Sequence, residues 1–528
     1  MDNFSYVESE KISKNYPLSS ISLMLQRFRE WLTLILLCLL PFHAFLVTVG
    51  TKMILGPGHA PLSVLALWKE GFLALVVLLV VVEIIIRSFR TDSATSVWSF
   101  DLLDWLILLG LILASTVSFD PASFAKSGGF LPSLSQFRFG EADRRFLYGI
   151  KYDFLPLVVF FFLRRVTWST EWVRRTLIGL VIIAFIIAVY GILSILFPSS
   201  WFTFLGYSDM HSLYIPSGPL AAFQQIEGLA IRRIQSVMSG PNQLGLWLLL
   251  PLSILLSMGV HAVDTHLSGG RPLRVFLVLF WGASCVFLLS AMMLTYSRTA
   301  WIAACVMSVG LLLMLVAHLH STKRVRRFFF AFLLCVVLGG AVLAVNVVKL
   351  YPALFVRDQS LSGHIEKPLQ ALKIIQEHPF GLGLGTAGPA SNALSDTCVF
   401  LPLGTDYSWA KDRTDLCVFV GGTRRLPAGR SCDCPLLTEN WYLQWGVEMG
   451  IAGLLLSLLL PFLVLWKLLK ADQLSPVLRR SVFLAFLGVS IGGLFLHAFE
   501  DSATAYTLWV LLAVALMYPD RRATMGNG

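Results

Sequence analysis

Residues 62–86, LSVLALWKEGFLALVVLLVVVEIII, are one of the apolar runs that decide the fold of this chain. A helix rises about 1.5 Å per residue, so a run of this length can cross the roughly 30 Å hydrocarbon core of a bilayer. Similar runs recur along the chain and predict an all-α membrane protein with about 12 transmembrane helices. The predicted spans are 31–50, 62–86, 102–118, 147–163, 176–197, 243–260, 273–292, 299–317, 328–348, 447–466, 481–498 and 503–518.

The composition indicates that lipid is the main solvent of this protein. Of the 528 residues, 56% are hydrophobic and only 14% are charged, and the mean hydropathy is +0.74. Soluble domains carry about a quarter charged residues. The formal net charge is +10, and the basic residues fall in short clusters between the apolar runs. Such clusters are topology signals, so the lipid bilayer is the expected partner and no nucleic acid is expected.

The distribution of Lys and Arg predicts the orientation of the chain. Loops on the side of the two termini hold 22 of these residues, against 8 in the opposite loops when the largest one is left out. Positive residues concentrate on the cytoplasmic side, so segment 1–30 and tail 519–528 are expected to be cytoplasmic. Segments 119–146, 198–240 and 349–446 are then outside. The last is a large loop between the ninth and tenth helices, so transmembrane helices 1–9 occupy 31–348 and helices 10–12 occupy 447–518.

The large loop is predicted to be folded. It is too apolar and too rich in Gly, Pro and Trp for a disordered segment. Within it, Pro368 to Glu377 predicts a short helix, because proline suits the first helical position and Pro379 ends the run.

Four cysteines lie in this loop: Cys398, Cys417, Cys432 and Cys434. An even set in an oxidising compartment indicates two disulfides. We favour pairings in which Cys432 and Cys434 each bond one of the other two, because a bridge across a single residue is strained. A zinc site is the alternative. The spacing contains no CxxC pair and no His lies nearby, so no metal is expected.

A secondary transporter is the default interpretation of a chain with twelve helices. Transporters that couple to ions usually carry ionisable residues at mid-membrane. Here the ionisable residues of the spans lie toward the span ends, where snorkelling or capping explains them. They are Lys69, Glu70, Glu83, Asp104, Lys151, Asp153 and Glu448. This placement weakens the transporter interpretation, which stays open as the alternative.

Three motifs place a charged residue at the outer membrane boundary. Arg232 and Arg233 precede SVMSGPNQLG (236–245), Arg298 lies in YSRTAW (296–301), and Glu439 lies in TENWYLQWGVEMGIAGL (438–454). Anchoring to lipid headgroups explains a single charge at this depth. Three such motifs on one side favour a shared site.

In this order the motifs resemble the O-antigen ligase and O-antigen polymerase (Wzy-type) superfamily. The large outer loop adds EHPFGLGLGT (377–386), and the resemblance covers roughly residues 230–465. The resemblance implies a bacterial inner-membrane glycosyltransferase that acts on the periplasmic face. Its donor is a glycan linked to polyprenyl diphosphate, its acceptor is another glycan or lipid A–core, and it needs no metal, nucleotide sugar or other cofactor.

The resemblance also assigns roles to residues. Arg232, Arg233 and Arg298 are expected to bind the diphosphate, and Arg298 and Glu439 are the expected catalytic residues. Guanidinium groups bind phosphate oxygens through paired N–H donors and stay charged. A second group must take the proton of the acceptor hydroxyl. The ligases carry His at the position of Glu439, and this departure favours a polymerase or another branch of the superfamily.

Other residues have simpler interpretations. Glu439 could instead cap the following helix, where an acid suits the helix dipole. Gly381, Gly383 and Gly385 are expected to form a tight turn, since no strand precedes them as in a dinucleotide fingerprint. Two loop histidines, His364 and His378, are expected to be solvated or interfacial. Glu500 and Asp501 are given no role.

Overall fold

The structure of the protein is a computed structural model. It describes residues 20–88, 100–118, 141–208, 218–226, 231–266, 273–318, 358–401, 403–411, 413, 416–427, 429–471 and 475–517. The predicted ninth span, 328–348, lies outside these residues, as do tail 519–528 and most of the predicted outer loop 119–146.

Helices dominate the described chain before the large loop. They are α1 (Ser20–Leu39), α2 (His43–Leu55), α3 (Ser63–Ala66), α4 (Trp68–Ser88), α5 (Leu102–Ser118), α6 (Glu141–Gly149), α7 (Leu155–Leu163), α8 (Thr170–Ser194), α9 (Ser199–Leu205), α10 (Pro241–His266), α11 (Leu273–Leu294) and α12 (Arg298–His318). A 3₁₀ turn, Leu40–Phe42, joins α1 to α2, and a π-helical turn, Ile150–Phe154, joins α6 to α7. Two short strands, β1 (Gln224–Gln225) and β2 (Arg232–Arg233), form an antiparallel ladder.

The large loop and the helices that follow it complete the described fold. They comprise α13 (Asp358–Glu377), α14 (Gly388–Leu394), β3 (Thr397–Leu401), β4 (Leu416–Val420), β5 (Thr423–Leu426), α15 (Trp441–Lys470), α16 (Pro476–Gly492) and α17 (Ser502–Ala515). Strand β4 pairs with β3 in parallel and with β5 in antiparallel. The predicted loop helix at 368–377 is therefore longer than expected, because α13 begins at Asp358 and carries Pro368 in its interior.

The prediction of a mainly helical membrane protein is confirmed. By length and composition, six helical segments of the described chain can cross a membrane: Ser22–Leu55, Ser63–Ser88, Asp143–Leu163, Thr170–Ser194, Pro241–Ala262 and Trp441–Lys470. Shorter apolar helices occupy Leu102–Ser118, Leu279–Leu294, Arg298–Met314 and Ser502–Ala515. The total of twelve crossings stays a prediction.

Two predicted spans differ from the helices of the structure at their outer ends. The helix within predicted span 481–498 is shorter than the span, because α16 stops at Gly492. The carbonyl of the next residue, Gly493, accepts a hydrogen bond from Trp441 N at 2.8 Å. Predicted span 447–466 begins after the start of its helix, because α15 starts at Trp441. The side chain of Asn440 caps α15 there by accepting from Leu443 N at 2.9 Å.

Buried and partly buried ion pairs join several helices on one side of the bundle. They are Arg29–Glu83 at 2.8 Å, Arg164–Asp101 at 2.7 Å, Arg165–Asp104 at 3.1 Å and Lys467–Asp101 at 2.7 Å. The pairs tie the start of α1 and α5 to the ends of α4, α7 and α15, so these helices alternate in direction, as the predicted topology requires.

Helix α17 lies at the centre of the bundle. Every residue from Ala503 to Ala515 is buried. Its Trp509 ring packs against the rings of Phe160, Phe486 and Phe499 at centroid distances of 5.4, 5.7 and 6.1 Å. Burial on all sides distinguishes α17 from an ordinary amphipathic helix, which buries one face.

Helix α15 is broken at Gly450, and the glycine-rich turn of the large loop fills the break. Gly450 has φ of 69° and ψ of −160°, which are not helical angles. Three backbone hydrogen bonds bridge the turn and the break: Leu382 N to Val447 O at 2.9 Å, Gly383 N to Glu448 O at 3.0 Å and Ile451 N to Pro379 O at 3.0 Å. They satisfy polar groups that lipid cannot hydrogen-bond. The predicted tight turn at Gly381, Gly383 and Gly385 is present, with all three in positive φ.

We predict that Gly450→Ala destabilises the protein. A β-carbon added at Gly450 would lie 2.1 Å from the carbonyl oxygen of Pro379, and the positive φ disfavours any side chain. The loss should be on the order of 2 kcal/mol or more, seen as a lower thermal midpoint of the detergent-solubilised protein. Gly282→Ala is the matched control, because an added β-carbon there meets no atom within 4 Å. Equal midpoints for both variants would contradict the assigned role of Gly450.

Candidate functional site

Arg233 connects two of the three sequence motifs. Its Nε donates to the carbonyl of Thr295 at 2.9 Å, and one terminal nitrogen donates to Oδ1 of Asn242 at 2.9 Å. The other terminal nitrogen donates to Gln224 on β1 at 3.1 Å. Because Asn242 belongs to the Gly-Pro-Asn motif and Thr295 begins the turn to Arg298, the Arg233 side chain holds both motifs together.

Arg298 begins α12 at the same end of the bundle. Gly245, at the start of α10, allows the two helices to approach, because a β-carbon there would lie 2.8 Å from Cβ of Ala300 and 3.2 Å from Cβ of Ser297. Arg298 itself is partly buried. The structure therefore brings the segments of Arg233 and Arg298 together, as the sequence motifs predicted.

Arg232 has a different environment from Arg233. Successive residues of a strand point to opposite faces. Arg232 donates to the carbonyl of Phe197 at 2.8 Å, and its guanidinium lies 4.2 Å from the ring centroid of Phe223. Its contacts are thus with the connection that follows α8, whereas those of Arg233 are with the two motif segments.

Glu439 lies just before α15 and does not cap it. Asn440 is the capping residue, so the capping interpretation of Glu439 is wrong. Instead, Oε2 of Glu439 lies 2.6 Å from Nδ1 of His364, and Oε1 accepts a hydrogen bond from Lys367 Nζ. Burial raises the pKa of Glu439, but hydrogen bonding by His364 and Lys367 outweighs it and lowers the pKa to about 2. The carboxylate is therefore ionised at neutral pH.

A short series of contacts links the Glu439 region to the arginine motifs. Trp441, two residues after Glu439, donates its backbone N–H to Gly493 at the end of α16. A β-carbon at the neighbouring Gly492 would lie 2.7 Å from the side chain of Leu246. Leu246 follows Gly245, which contacts the Arg298 segment. All three motifs consequently lie at one end of the bundle.

Each motif contains one non-glycine residue in positive φ. These residues are Ser236 with φ of 55°, Tyr296 with φ of 51° and Glu439 with φ of 49°, and the described chain holds no others. Each such conformation costs on the order of 1 kcal/mol or more, and such residues concentrate at functional sites. Their distribution supports one shared site built from the three motifs.

The structure corrects the expectation that His364 is merely solvated or interfacial. His364 and Lys367 lie on the face of α13 that continues to Ala371 and Ile375, both buried against α15. The helical spacing of these residues was visible in the sequence, but their contact with Glu439 depends on the fold.

Two acids expected near span ends are instead buried inside the bundle, beside a third from the last outer turn. Oδ1 of Asp153 accepts from the Trp445 indole at 2.9 Å, and Oε1 of Glu448 accepts from the backbone of Gly385 at 3.0 Å. Glu500, which was given no role, is also buried. Snorkelling toward water does not explain Asp153 or Glu448, so that part of the sequence interpretation was wrong.

The four loop cysteines form two disulfides, Cys398–Cys434 and Cys417–Cys432. This is one of the two pairings in which Cys432 and Cys434 bond different partners. Asp396, Cys417 and Cys432 are the one group of the described residues whose candidate metal-ligand atoms lie within 4.8 Å of one another. Their sulfurs bond each other in the structure, whereas metal ligation requires thiolates.

The comparison with protein families agrees with the motifs. The O-antigen ligase family (Wzy_C) matches residues 283–401. The matched region contains Arg298, His364 and the glycine-rich turn at Gly381–Gly385. The match confirms the resemblance to the O-antigen ligase and polymerase superfamily. No curated protein matches the chain.

The disulfide pairing can be tested by peptide mapping. Cleavage on the amino side of aspartates separates Cys432 from Cys434, so the unreduced protein should yield the peptide of Cys398 linked to that of Cys434 by mass spectrometry. Cys417 and Cys432 then share the peptide 415–432, whose mass should show an internal disulfide. The reduced protein is the control and should yield neither the linked peptides nor the internal disulfide. Recovery of Cys398 linked to Cys432 would contradict the pairing.

The ion pairs of Glu439 predict a specific dependence of stability on pH. The folded-state pKa of about 2 lies below the ordinary value of 4.5. The pairs therefore stabilise the protein above pH 4.5, and this contribution is lost as the pH falls toward 2. Between pH 5 and pH 3, Glu439→Gln should lose less thermal stability than the wild type. The control is Glu366→Gln, which changes an exposed acid on α13, the helix that carries His364 and Lys367. This variant should behave as the wild type. Identical stability curves for all three proteins would refute the prediction.

Proposed function

We propose, from its O-antigen ligase family match, that this protein is a membrane glycosyltransferase that uses a lipid-diphosphate-linked glycan as donor. The bond from Arg233 to Thr295, which joins the two arginine-bearing motifs, is the observation that carries the proposal. A cationic site at a membrane boundary suits a donor whose diphosphate lies at the headgroup level and whose polyprenyl chain stays in lipid.

The arginines stabilise the leaving group. Negative charge grows on the diphosphate as the bond to the sugar breaks, and fixed guanidinium groups bind its oxygens without losing their protons. Arg298 and Arg233 are the central pair. Hydrogen bonds to Thr295, Gln224 and Asn242 fix the position of the Arg233 guanidinium between the two motif segments. Arg232 lies on the opposite face of the strand and is proposed as an outer contact of the same group.

The acceptor hydroxyl attacks the anomeric carbon from the side of the large loop. Glu439 and its ion-pair partners supply the charged groups there, and we assign proton removal to this cluster. The acceptor is a second lipid-linked glycan, in a polymerase, or lipid A–core, in a ligase. The Glu in place of the ligases' His favours the polymerase. The positive-inside bias supports a periplasmic location for this face, with both termini in the cytoplasm.

The role of Arg298 is tested by Arg298→Ala in a reconstituted assay with a polyprenyl-diphosphate-linked oligosaccharide. At an effective dielectric near 20, one such contact at 4 Å contributes on the order of 4 kcal/mol. The variant should therefore lose up to about a thousandfold in rate. Arg174→Ala is the control, because Arg174 lies exposed at the opposite end of α8, paired with Glu171, and should keep wild-type activity.

The same assay separates the enzyme from a transporter. A glycosyltransferase releases free polyprenyl diphosphate and lengthens or modifies the acceptor, whereas a transporter moves the lipid-linked glycan without cleaving it. Full activity in Arg298→Ala would reject its role. Translocation without carrier release by the wild type would reject the proposed function.

A further inference from the structure

Helix α13 fixes the position of His364 beside Glu439. Ile375 and Ala371 of this helix are buried against α15, and a β-carbon added at Gly446 would lie 2.5 Å from Cδ1 of Ile375. His364 lies about three turns before Ile375 and about two turns before Ala371, on the same face of the helix. Close packing thus holds the imidazole where its Nδ1 lies 2.6 Å from Oε2 of Glu439.

Glu439 by itself is a poor proton acceptor. Each carboxylate oxygen already faces a cationic or N–H donor, Lys367 at Oε1 and His364 at Oε2. The pKa of about 2 means that the carboxylate holds a proton weakly. General bases work best when their pKa lies near the operating pH, so the ion pairs suit Glu439 for orienting a neighbour better than for removing a proton.

We propose that His364 is the general base of the glycosyl transfer and that Glu439 is its positioning residue. This inference rests on the proposed function. The carboxylate 2.6 Å from Nδ1 favours the tautomer that carries the proton on Nδ1, which leaves the lone pair of Nε2 available. The side chain is 28% exposed, so an acceptor hydroxyl can reach it. The arrangement is the carboxylate–histidine pairing that fixes a tautomer and stabilises the imidazolium.

The step balances without a cofactor. The acceptor oxygen forms a bond to the anomeric carbon, and the bond from that carbon to the diphosphate oxygen breaks. The electron pair leaves with polyprenyl diphosphate, while the hydroxyl proton moves to Nε2 of His364. The imidazolium then returns the proton to water.

Two further charged or titratable groups, Lys367 and His497, lie near the pair of His364 and Glu439. Lys367 follows His364 on α13, Glu439 precedes α15, and His497 lies in the turn after α16, where it interacts electrostatically with both Glu439 and Lys367. Lys367 keeps Glu439 ionised, so the carboxylate can orient the imidazole over the whole neutral range.

The pH dependence of kcat/KM distinguishes the two candidate bases. With histidine as the base, kcat/KM of the wild type should fall about tenfold per pH unit on the acid side, between about pH 7 and pH 5. With Glu439 as the base, kcat/KM should stay flat down to pH 4, because the pKa of its carboxyl is about 2. A flat profile in the wild type would overturn the proposal.

Variants test the same assignment independently. His364→Gln should lower kcat by about 10² to 10⁴ and remove the acid limb. Glu439→Gln should lower kcat less and keep an acid limb, since the histidine base is still present. The double variant should match His364→Gln, because both residues act in one step. His378→Gln, an exposed histidine just beyond the end of the same helix, is the control and should keep the wild-type profile.

The outcomes separate this proposal from the proposed function. An active wild type whose His364→Gln variant keeps its kcat and its acid limb overturns the role of His364 alone. A wild type that releases no polyprenyl diphosphate from the lipid-linked donor overturns both. If His364 were only structural, His364→Gln would lower the thermal midpoint while its remaining activity kept the acid limb, and that result also rejects the proposal.

Discussion

Three backbone hydrogen bonds between the glycine-rich turn and the break at Gly450 organise the outer half of this protein. Unpaired backbone groups inside a bilayer cost several kcal/mol each, so a broken membrane helix needs partners from elsewhere in the chain. The turn at 379–383 supplies them. In doing so it fixes the large loop to the membrane part and positions α13 against the first half of α15. The contact of His364 with Glu439 follows from that docking.

The arginine end of the site is held by shorter-range constraints. Gly245 lets α10 and α12 approach closely, and Arg233 ties the turn before Arg298 to Asn242. A guanidinium group stays charged in such a setting, which is useful for binding an anion. One end of the bundle thus combines fixed positive charge with a histidine–carboxylate pair. That combination is the chemistry required to release a diphosphate and deprotonate a hydroxyl.

Much of this fold could be predicted from sequence because lipid imposes a local rule. A run such as 62–86 must be helical wherever it lies in the chain, so the span and the helices at 63–66 and 68–88 coincide. Less of the candidate site could be predicted from the sequence. Hydropathy marks where Glu439 meets the membrane, but His364 reaches it only through tertiary packing, and Asp153 meets Trp445 from a distant part of the chain. The early end of α16 at Gly492 was missed because the turn that follows is as apolar as a span.

The complete burial of α17 bears on how the protein is made. This helix follows every other described helix in the chain, yet its residues from Ala503 onward are enclosed by helices synthesised before it. Earlier helices therefore cannot reach their final packing when they enter the bilayer. They must remain incompletely packed until α17 has been synthesised and inserted between them. Among the described helices, the central one is therefore the last to be inserted.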